Sequence, residues 1–469
     1  MATIRTLSHR LPSVAAYAVG LVVSKLVGLV MQPLLTRWLS PASFGEYATL
    51  ITLANLISLI MLVGMVDSLY RFASDPKYPT ARVYRSAWSL TLLTSVLTAL
   101  PFLIWPQWIA AWLPGDLSAF SVRCLVVSLA LGTHSALQLA KLRIDDQALR
   151  FLRVQVIFAL AQGGFMLLLT PVMGVDGLML AGVLAQAVQW GLLHRPCPRL
   201  TLADARLLLR YGIGIAVSGG VGFIAFGAER FVLASAIGTA ELAVYAIAMQ
   251  WAVAATLLLD PFNLWWFPQR FRHLQSPGGK AYVARMSIFG SQCAALIGAI
   301  LIALGCPFLL LWLPESYHQA SDILPLLAWM MVIKYLSTQL NTGCYYQQNS
   351  DLTMVISAAC AALALLLMWL VIPRFGLYGA VWAGLLVQSC RFTLFLGFSQ
   401  RLLPLNYPVY PLSKQLGGLA GVTLLQWFQA RAAWPVSYTS ALMSLLLLWM
   451  AFSLWQNWQR SHQPDVAYD

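Results

Sequence analysis

Long apolar runs constrain this chain more than any other feature of its sequence. The first lies at residues 14–35, and similar runs recur to the end of the chain. Hydrophobic residues make up 60% of the 469 positions and charged residues only 10%, whereas soluble proteins carry about 25% charged residues. The first run is too long for the apolar core of a cleavable signal, so we expect it to be a membrane anchor. The composition predicts an integral membrane protein.

A helix needs about 20 apolar residues to cross the hydrocarbon layer. Most of the 29 Lys and Arg residues fall in the loops on one side of the predicted spans. The loops on the other side hold only Arg37, Arg374 and Arg431. The positive-inside rule therefore predicts cytoplasmic amino and carboxyl termini in a multi-pass membrane protein. The fourteen predicted spans are 14–35, 45–66, 86–106, 119–140, 152–172, 175–194, 211–234, 241–262, 286–311, 322–341, 353–372, 376–397, 413–430 and 437–456.

Three short segments occur twice along the chain at nearly constant spacing. Leu39–Ala42 aligns with Ile237–Ala240 at an offset of 198. Trp112-Leu113-Pro114 recurs as Trp312-Leu313-Pro314 at an offset of 200. Gly174 and Gly177 recur as Gly376 and Gly379 at an offset of 202. Three repeated segments at nearly the same offset predict two related halves of six helices each.

These repeats lead to one predicted architecture. We expect an all-α polytopic membrane protein with about fourteen transmembrane helices, in which two parallel six-helix bundles form a V-shaped central cavity. The predicted lobes are residues 1–198 and 199–405. Residues 406–469 add two further transmembrane helices and a polar cytoplasmic tail.

Several kinds of chemistry find no support in the sequence. The seven cysteines are widely spaced, so we expect no disulfide framework, metal site or cofactor. No phosphate-binding G-x-x-x-x-G-K-[ST] loop occurs. The net charge of +13 follows from membrane topology and contact with anionic lipid rather than from nucleic-acid binding. We predict a transport protein without catalytic residues, not an enzyme.

Charged residues inside predicted spans are the best candidates for function. Each costs about 2.5–3.5 kcal/mol at the bilayer centre, so it needs water or a partner. Lys25 lies near the middle of the first span, and Lys334 in the tenth span is the repeat counterpart of His134. A water-filled cavity would satisfy both lysines. The candidate substrate-binding residues are Lys25, Arg71, Arg123, His134, Glu229, Arg230, Lys334 and Arg391.

Structural explanations compete with a binding role at several of these positions. Arg123 and Arg391 lie near predicted helix ends, where their side chains could reach the interface. Glu229 and Arg230 could pair locally near the outer end of their span. His134 could make an interhelical hydrogen bond, and Arg71 could belong to a solvated helix end. These alternatives remain open at the level of the sequence.

Three segments resemble a known family. The pattern L-x-P-x-x-F-G-x-Y at Leu39–Tyr47, the segment Gly64–Arg71 and the stretch from Tyr211 to Arg230 are similar to the polysaccharide-transporter (Wzx-type) flippases. That family is part of the multidrug/oligosaccharidyl-lipid/polysaccharide exporter superfamily. The likeness extends over nearly the whole chain, although its motifs are mostly structural.

The resemblance implies a flippase for an undecaprenyl-pyrophosphate-linked oligosaccharide. The cargo would be a repeat unit of O-antigen (lipopolysaccharide), capsule or exopolysaccharide, moved from the cytoplasmic to the periplasmic leaflet by alternating access. The implied partners are the lipid-linked oligosaccharide, membrane lipids and the polysaccharide polymerase machinery. A basic cavity would offer the pyrophosphate a counter-charge.

Two rival functions fit the sequence less well. A drug/cation antiporter of the same superfamily needs a carboxylate deep in the first half, where the first helix offers Lys25 instead. A membrane glycan polymerase or ligase needs a large external region, and every external connection here is short. The flippase is therefore the leading hypothesis.

Replacing Lys25 tests the predicted basic cavity. We expect Lys25→Ala to abolish surface glycan at an unchanged protein level, because the phosphates lose a counter-charge, and Lys25→Arg to restore part of it. Glycan staining and immunoblotting of the same cells measure both quantities. Normal glycan in the alanine variant would contradict the prediction.

Overall fold

The computed structural model describes residues 19–20, 22–23, 27–73, 75, 77–193, 201–346, 351–431 and 435–462. Over these residues the chain is helical and contains no β-strand. It divides into two compact units, Met1–Ala243 and Val244–Asp469. The predicted lobe boundaries at 198/199 and 405/406 remain a prediction.

The first unit is built from helices of very different lengths. Helix α1 is described over residues 27–38. The others are α2 (Pro41–Leu62), α3 (Met65–Ala73), α4 (Thr80–Ile104), α5 (Pro106–Trp112), α6 (Ala119–Ile144), α7 (Ala148–Leu193), α8 (Ala205–Phe226), α9 (Glu229–Ile237) and the first residues of α10 (Thr239–Thr256).

The second unit holds the rest of α10 and the remaining helices. These are α11 (Asp260–Leu274), α12 (Gly279–Trp312), α13 (Gln319–Gln339), α14 (Thr342–Tyr346), α15 (Asp351–Leu402), α16 (Val409–Ala430) and α17 (Val436–His462). A short 3-10 turn, Glu315–Tyr317, precedes α13.

Nine helices of the described chain are long and apolar enough to cross a membrane, or ten if the bent pair α10–α11 forms one span. Helices α7 and α15 contain 46 and 52 residues. At about 1.5 Å per residue each is roughly twice as long as the hydrocarbon layer is thick. Each therefore corresponds to two of the predicted spans, which confirms a polytopic all-α membrane protein.

Both long helices are broken at a glycine with the same backbone geometry. Gly174 has φ 58° and ψ −130°, and Gly376 has φ 58° and ψ −136°. Residues with a side chain rarely adopt these backbone angles, so glycine is required at the turn. A proline, Pro171 or Pro373, lies three residues before each glycine and weakens the preceding helix. The repeat recognised in the sequence is thus a repeated helical turn.

The glycine three residues after each break makes the same close contact. A Cβ atom on Gly177 would lie 2.2 Å from the Leu169 carbonyl oxygen. One on Gly379 would lie 2.8 Å from the carbonyl oxygen of Val371, the residue equivalent to Leu169. The two halves of each broken helix approach too closely there for any other residue.

The other two repeated segments also lie at matching helix boundaries. Leu113, after α5, has φ −93° and ψ 146°, and Leu313, after α12, has φ −95° and ψ 149°. Pro41 begins α2 and its counterpart Thr239 begins α10. Each of the three repeated segments therefore marks the same turn or helix boundary in both halves.

In the first unit, α8 packs directly against α3. A Cβ atom on Gly212 would lie 2.2 Å from the Val63 carbonyl oxygen, and Ser68 Oγ donates to the Leu208 carbonyl at 3.3 Å. The start of α8 is also tied to α4, because Arg82 Nε donates to Asp204 Oδ2 at 2.9 Å. These contacts fix α8 beside the core of this unit.

In the second unit, hydrogen bonds attach α16 to its neighbours. Gln292 of α12 donates to the Pro411 carbonyl at 3.0 Å, and Trp329 of α13 donates to Thr423 Oγ1 at 3.0 Å. Gln415 donates to the Met450 carbonyl of α17 at 2.8 Å. The two helices predicted to lie outside the repeat therefore belong to this unit's core.

The glycine breaks predict a local stability effect. We expect Gly376→Ala to destabilise the protein by about 1–3 kcal/mol, because alanine is strained at that backbone conformation. Gly397→Ala, in the same helix, is the matched control, since its Cβ would meet no atom within 4 Å. The fraction of monodisperse protein in detergent after heating measures the difference. Equal thermal stability of the two variants would refute the strain argument.

Candidate functional site

A polar cavity lies within the first unit, between α2 and the α8–α9 segment. Its volume is about 370 Å³, which is within the usual range for ligand sites. Helix α2 presents hydroxyl and amide groups at a three-residue spacing, so they share one helix face. The lining residues are Thr52, Asn55, Ser58, Leu59, Gly219, Phe223, Gly227 and Arg230.

Arg230 supplies the positive charge of this cavity. Its Nε is buried and has no hydrogen-bond partner among the described residues. The sequence predicted a continuous span over 211–234 with Arg230 near its outer end. Instead, α8 ends at Phe226 and α9 begins at Glu229, so Arg230 lies in the first turn after a helix break. Gly227, with φ −147° and ψ −29°, interrupts the helix.

The break gives the cavity the features of an anion site. The N-terminal end of α9 carries a partial positive charge, which adds to that of Arg230. Glu229 is buried beside it in the first turn of α9 but is not among the lining residues. Discontinuous helices hold substrates in many transporters. The cavity can bind a negatively charged group that also carries hydroxyls.

Two predicted cations lie together in the second unit. Lys334 on α13 is exposed, and its charged neighbours are Arg391 and Asp260. The Arg391 guanidinium lies 5.5 Å from the Phe395 ring. Helix α15 continues to Leu402 rather than ending near 397, so Arg391 is well inside the helix and not near its end. Whether the Arg391 side chain reaches the interface, as one alternative expects, stays a prediction.

Two other candidates, Arg123 and Arg71, lie apart from the cavity lining. Arg123 is exposed near the start of α6, in agreement with a side chain that reaches the interface. Arg71 is exposed on the last turn of α3, one turn after Asp67. Lys25 lies outside the described residues, so its predicted position in a cavity remains a prediction.

The hydrogen bond of His134 lies within α6 and is not the interhelical bond considered for it, and its buried Nε2 has no partner among the described residues. The histidine is buried, and its Nδ1 donates to the Ala130 carbonyl at 2.9 Å. The ring of Trp88 packs edge-on against it at 5.2 Å. Its repeat counterpart Lys334 is exposed, so the two equivalent positions have different surroundings.

The sequence did not single out Arg270, which lies in a segment predicted to be a cytoplasmic connection. The structure places it on α11, where only 1% of its surface is exposed. Its Nη1 donates to the Thr338 carbonyl at 3.3 Å and to Asn341 Oδ1 at 3.0 Å. Asn341 Oδ1 is thereby engaged in a structural hydrogen bond.

Aromatic rings and a helix end compensate the Arg270 charge. Its guanidinium carbon lies 4.2 Å from the Phe267 ring centre and 5.0 Å from that of Phe271. The carbonyls at the end of α13 add partial negative charge. Burial raises the pKa of nearby Tyr407 to about 12, although the Arg270 charge acts in the opposite direction. Tyr407 therefore stays neutral beside the arginine.

A smaller basic pocket in the first unit lies between α4, α6 and α7. It has a volume of about 240 Å³ and is lined by Arg85, Lys141 and Arg150 together with Tyr84 and Gln138. Lys141 also pairs with Asp145. Basic pockets between transmembrane helices bind anionic lipid headgroups. This pocket suits the contact with membrane lipids that the charge distribution predicts.

The model of one protein family matches this sequence. It is described as polysaccharide biosynthesis protein and matches residues 34–263, close to half of the chain. The matched region contains α2 and the α8–α9 segment and therefore the whole Arg230 cavity. No curated protein matches the chain by sequence.

Solved structures share the fold over most of the chain. The lipid II flippase MurJ, in an inward closed conformation, superposes with a TM-score of 0.75 at 11% identity, covering 95% of this chain and 98% of that one. An inward-facing multidrug resistance MATE family transporter of the MOP superfamily gives 0.59 at 12% identity, covering 83% and 96%. A mutant of the Vibrio cholerae MATE transporter VcmN gives 0.55 at 16% identity, covering 84% and 97%. The predicted all-α polytopic fold is confirmed.

The burial of Arg270 predicts that its substitution lowers stability, whereas substitution of an exposed neighbour does not. Arg270→Ala removes two hydrogen bonds and the cation–π contacts, so we expect a loss of at least about 2 kcal/mol. Arg272→Ala, two residues further along and exposed, should leave stability unchanged. Thermal unfolding of both purified variants measures this. Equal transitions would show that the buried arginine contributes nothing to the fold.

Proposed function

We propose that this chain belongs with the polysaccharide biosynthesis proteins of the MOP superfamily, as its fold and the match of residues 34–263 suggest, and that it is a lipid-linked oligosaccharide flippase. Its substrate is an oligosaccharide joined through pyrophosphate to undecaprenol. The protein moves this headgroup from the cytoplasmic to the periplasmic leaflet of the inner membrane by alternating access.

The observation that carries the proposal is the Arg230 cavity. Arg230 lines a cavity, and its buried Nε has no hydrogen-bond partner among the described residues, so a phosphate oxygen in the cavity could accept a strong bond from it. Asn55 and Ser58 on the facing helix are suited to sugar hydroxyls or to water around them. The substrate of this proposal carries both kinds of group.

The cations of the second unit support the same substrate. Lys334 and Arg391 are near one another, with Asp260 as the acidic neighbour. Two cations and one carboxylate leave a net positive charge, which favours a polyanionic headgroup. We propose that Lys334 and Arg391 contact the pyrophosphate at some stage of its passage.

A drug/cation antiporter shares the fold, as the MATE transporters show. Such a protein needs a carboxylate at the binding site to exchange a proton or a metal ion for a cationic drug. Among the described residues, the lining of the Arg230 cavity contains no carboxylate. A cationic cavity repels cationic drugs, so the flippase is the better supported function.

Substitution of Arg230 tests the proposed function. We expect Arg230→Ala to lower glycan export about tenfold or more, because one charge-assisted contact with a phosphate is worth about 1.5–3 kcal/mol. Arg230→Lys should keep part of the activity, since it preserves the charge but not the planar guanidinium geometry. Surface glycan and the accumulation of lipid-linked intermediates on the cytoplasmic side are the two readouts.

Arg206→Ala is the control, because Arg206 is an exposed cation on α8 away from the cavity lining. Immunoblotting verifies equal protein levels in all strains. The proposal fails if Arg230→Ala exports glycan as well as Arg206→Ala does. It also fails if deletion of the whole chain leaves the distribution of lipid-linked intermediates unchanged.

A further inference from the structure

A second cavity lies at one end of the second unit, between the start of α13, the second half of α15 and the end of α16. Its volume is about 590 Å³. The charge distribution predicts this end of the unit to lie outside the cytoplasm. The residues that give the cavity its chemistry are Asp322, Tyr378, Trp382, Gln426, Trp427 and Arg431.

One buried polar group in this cavity lacks a partner. Gln426 is only 4% exposed, and its Oε1 accepts no hydrogen bond from any described residue. A buried acceptor left without a donor costs about 1–3 kcal/mol. The Asp322 carboxylate is exposed and lines the same cavity. Both groups are acceptors, so a ligand that donates several hydrogen bonds would satisfy them.

Aromatic rings surround these acceptors. Tyr378, Trp382 and Trp427 are 40%, 57% and 48% exposed. One face of Trp427 is covered by Arg431. The remaining exposed ring surface can pack against the flat C–H surface of a sugar ring, while the hydroxyls at the rim of such a ring can reach an amide or a carboxylate. The combination of rings and acceptors matches a pyranose better than it matches a lipid chain.

The charges of the cavity disfavour a phosphate. The Arg431 guanidinium lies 3.9 Å from the centre of the Trp427 ring, so this cation is held against an aromatic face. Asp322 would repel a phosphate but accepts hydrogen bonds from hydroxyls. A neutral or amphoteric carbohydrate fits both groups.

The equivalent place in the first unit has a different chemistry. There Asp176, the counterpart of Tyr378, accepts hydrogen bonds from Ser118 and from Ser121 Oγ, the latter at 2.6 Å. Val122 is the counterpart of Asp322. The carboxylate of the first unit thus binds serines at the start of α6, whereas the carboxylate of the second unit faces a cavity. Helix α16, which completes that cavity, lies outside the repeat.

We propose that this cavity is a carbohydrate-binding site that holds part of the glycan on the external side. The inference rests on the proposed function for the source of the sugar, and on the residues above for the site itself. A sugar ring lies against Trp382 or Trp427 and donates hydroxyl hydrogen bonds to Gln426 and Asp322. Such a site would retain the headgroup after translocation.

Photo-crosslinking in the native host tests this site, because the cell itself supplies the sugar. The probe is benzoylphenylalanine placed at Trp382, and adducts of the purified protein are identified by mass spectrometry. Trp369, on the same long helix and 77% exposed, is the control position. We expect carbohydrate-bearing adducts at position 382 and not at 369. Asp322→Asn should lower their yield about tenfold, the effect of losing one charged hydrogen bond.

The outcomes separate this inference from the proposed function. Phospholipid adducts alone at position 382, or no excess over position 369, would overturn the carbohydrate site. Glycan export is measured in the same cells. Glycan export without a sugar adduct would support the flippase function and contradict this carbohydrate site. A sugar adduct in a protein that exports no glycan would support the site and contradict the flippase function. Heat stability of the Asp322→Asn variant confirms that it folds.

Discussion

The cost of placing polar groups in hydrocarbon governs every level of this structure. Backbone amides without water must bond to one another, so the described chain is helical throughout its spans. Side chains that carry charge need water, an aromatic face, a helix end or a ligand. Arg270 uses aromatic rings and a helix end, whereas Arg230 lines a cavity. This contrast distinguishes a structural arginine from a candidate binding arginine.

Duplication explains much of the architecture, and divergence between the copies explains the sites. The turns at Gly174 and Gly376 are nearly identical in backbone geometry, because both need a residue without a side chain. At the position two residues later, one copy has an aspartate that accepts hydrogen bonds from serines at the start of α6, and the other has a tyrosine beside a cavity. The scaffold is the same in both halves, while the chemistry differs.

Those parts of the fold that depend on local sequence were predicted correctly. The lengths of the apolar runs predict the spans, and the repeated glycine spacing predicts the turns at 174 and 376. The break before Arg230 was missed, because Gly227 in an apolar run reads equally well as a packing residue. Asn55 was missed as well, although an amide in the middle of an apolar span is a visible signal. The burial of Arg270 depends on contacts with residues about 70 positions away, which no local pattern reveals.

The central claim is that water reaches the Arg230 cavity inside an otherwise apolar protein, because only a hydrated cavity can admit a charged headgroup. A cysteine at position 55, in a background without the native cysteines, reports this through its reaction with a charged, water-soluble thiosulfonate. Ile60→Cys, on the same helix and at a position 53% exposed in the protein, is the comparison. We predict rapid labelling at 55 and little at 60. Labelling at 55 no faster than at 60 would show that the cavity is dry and would contradict the account.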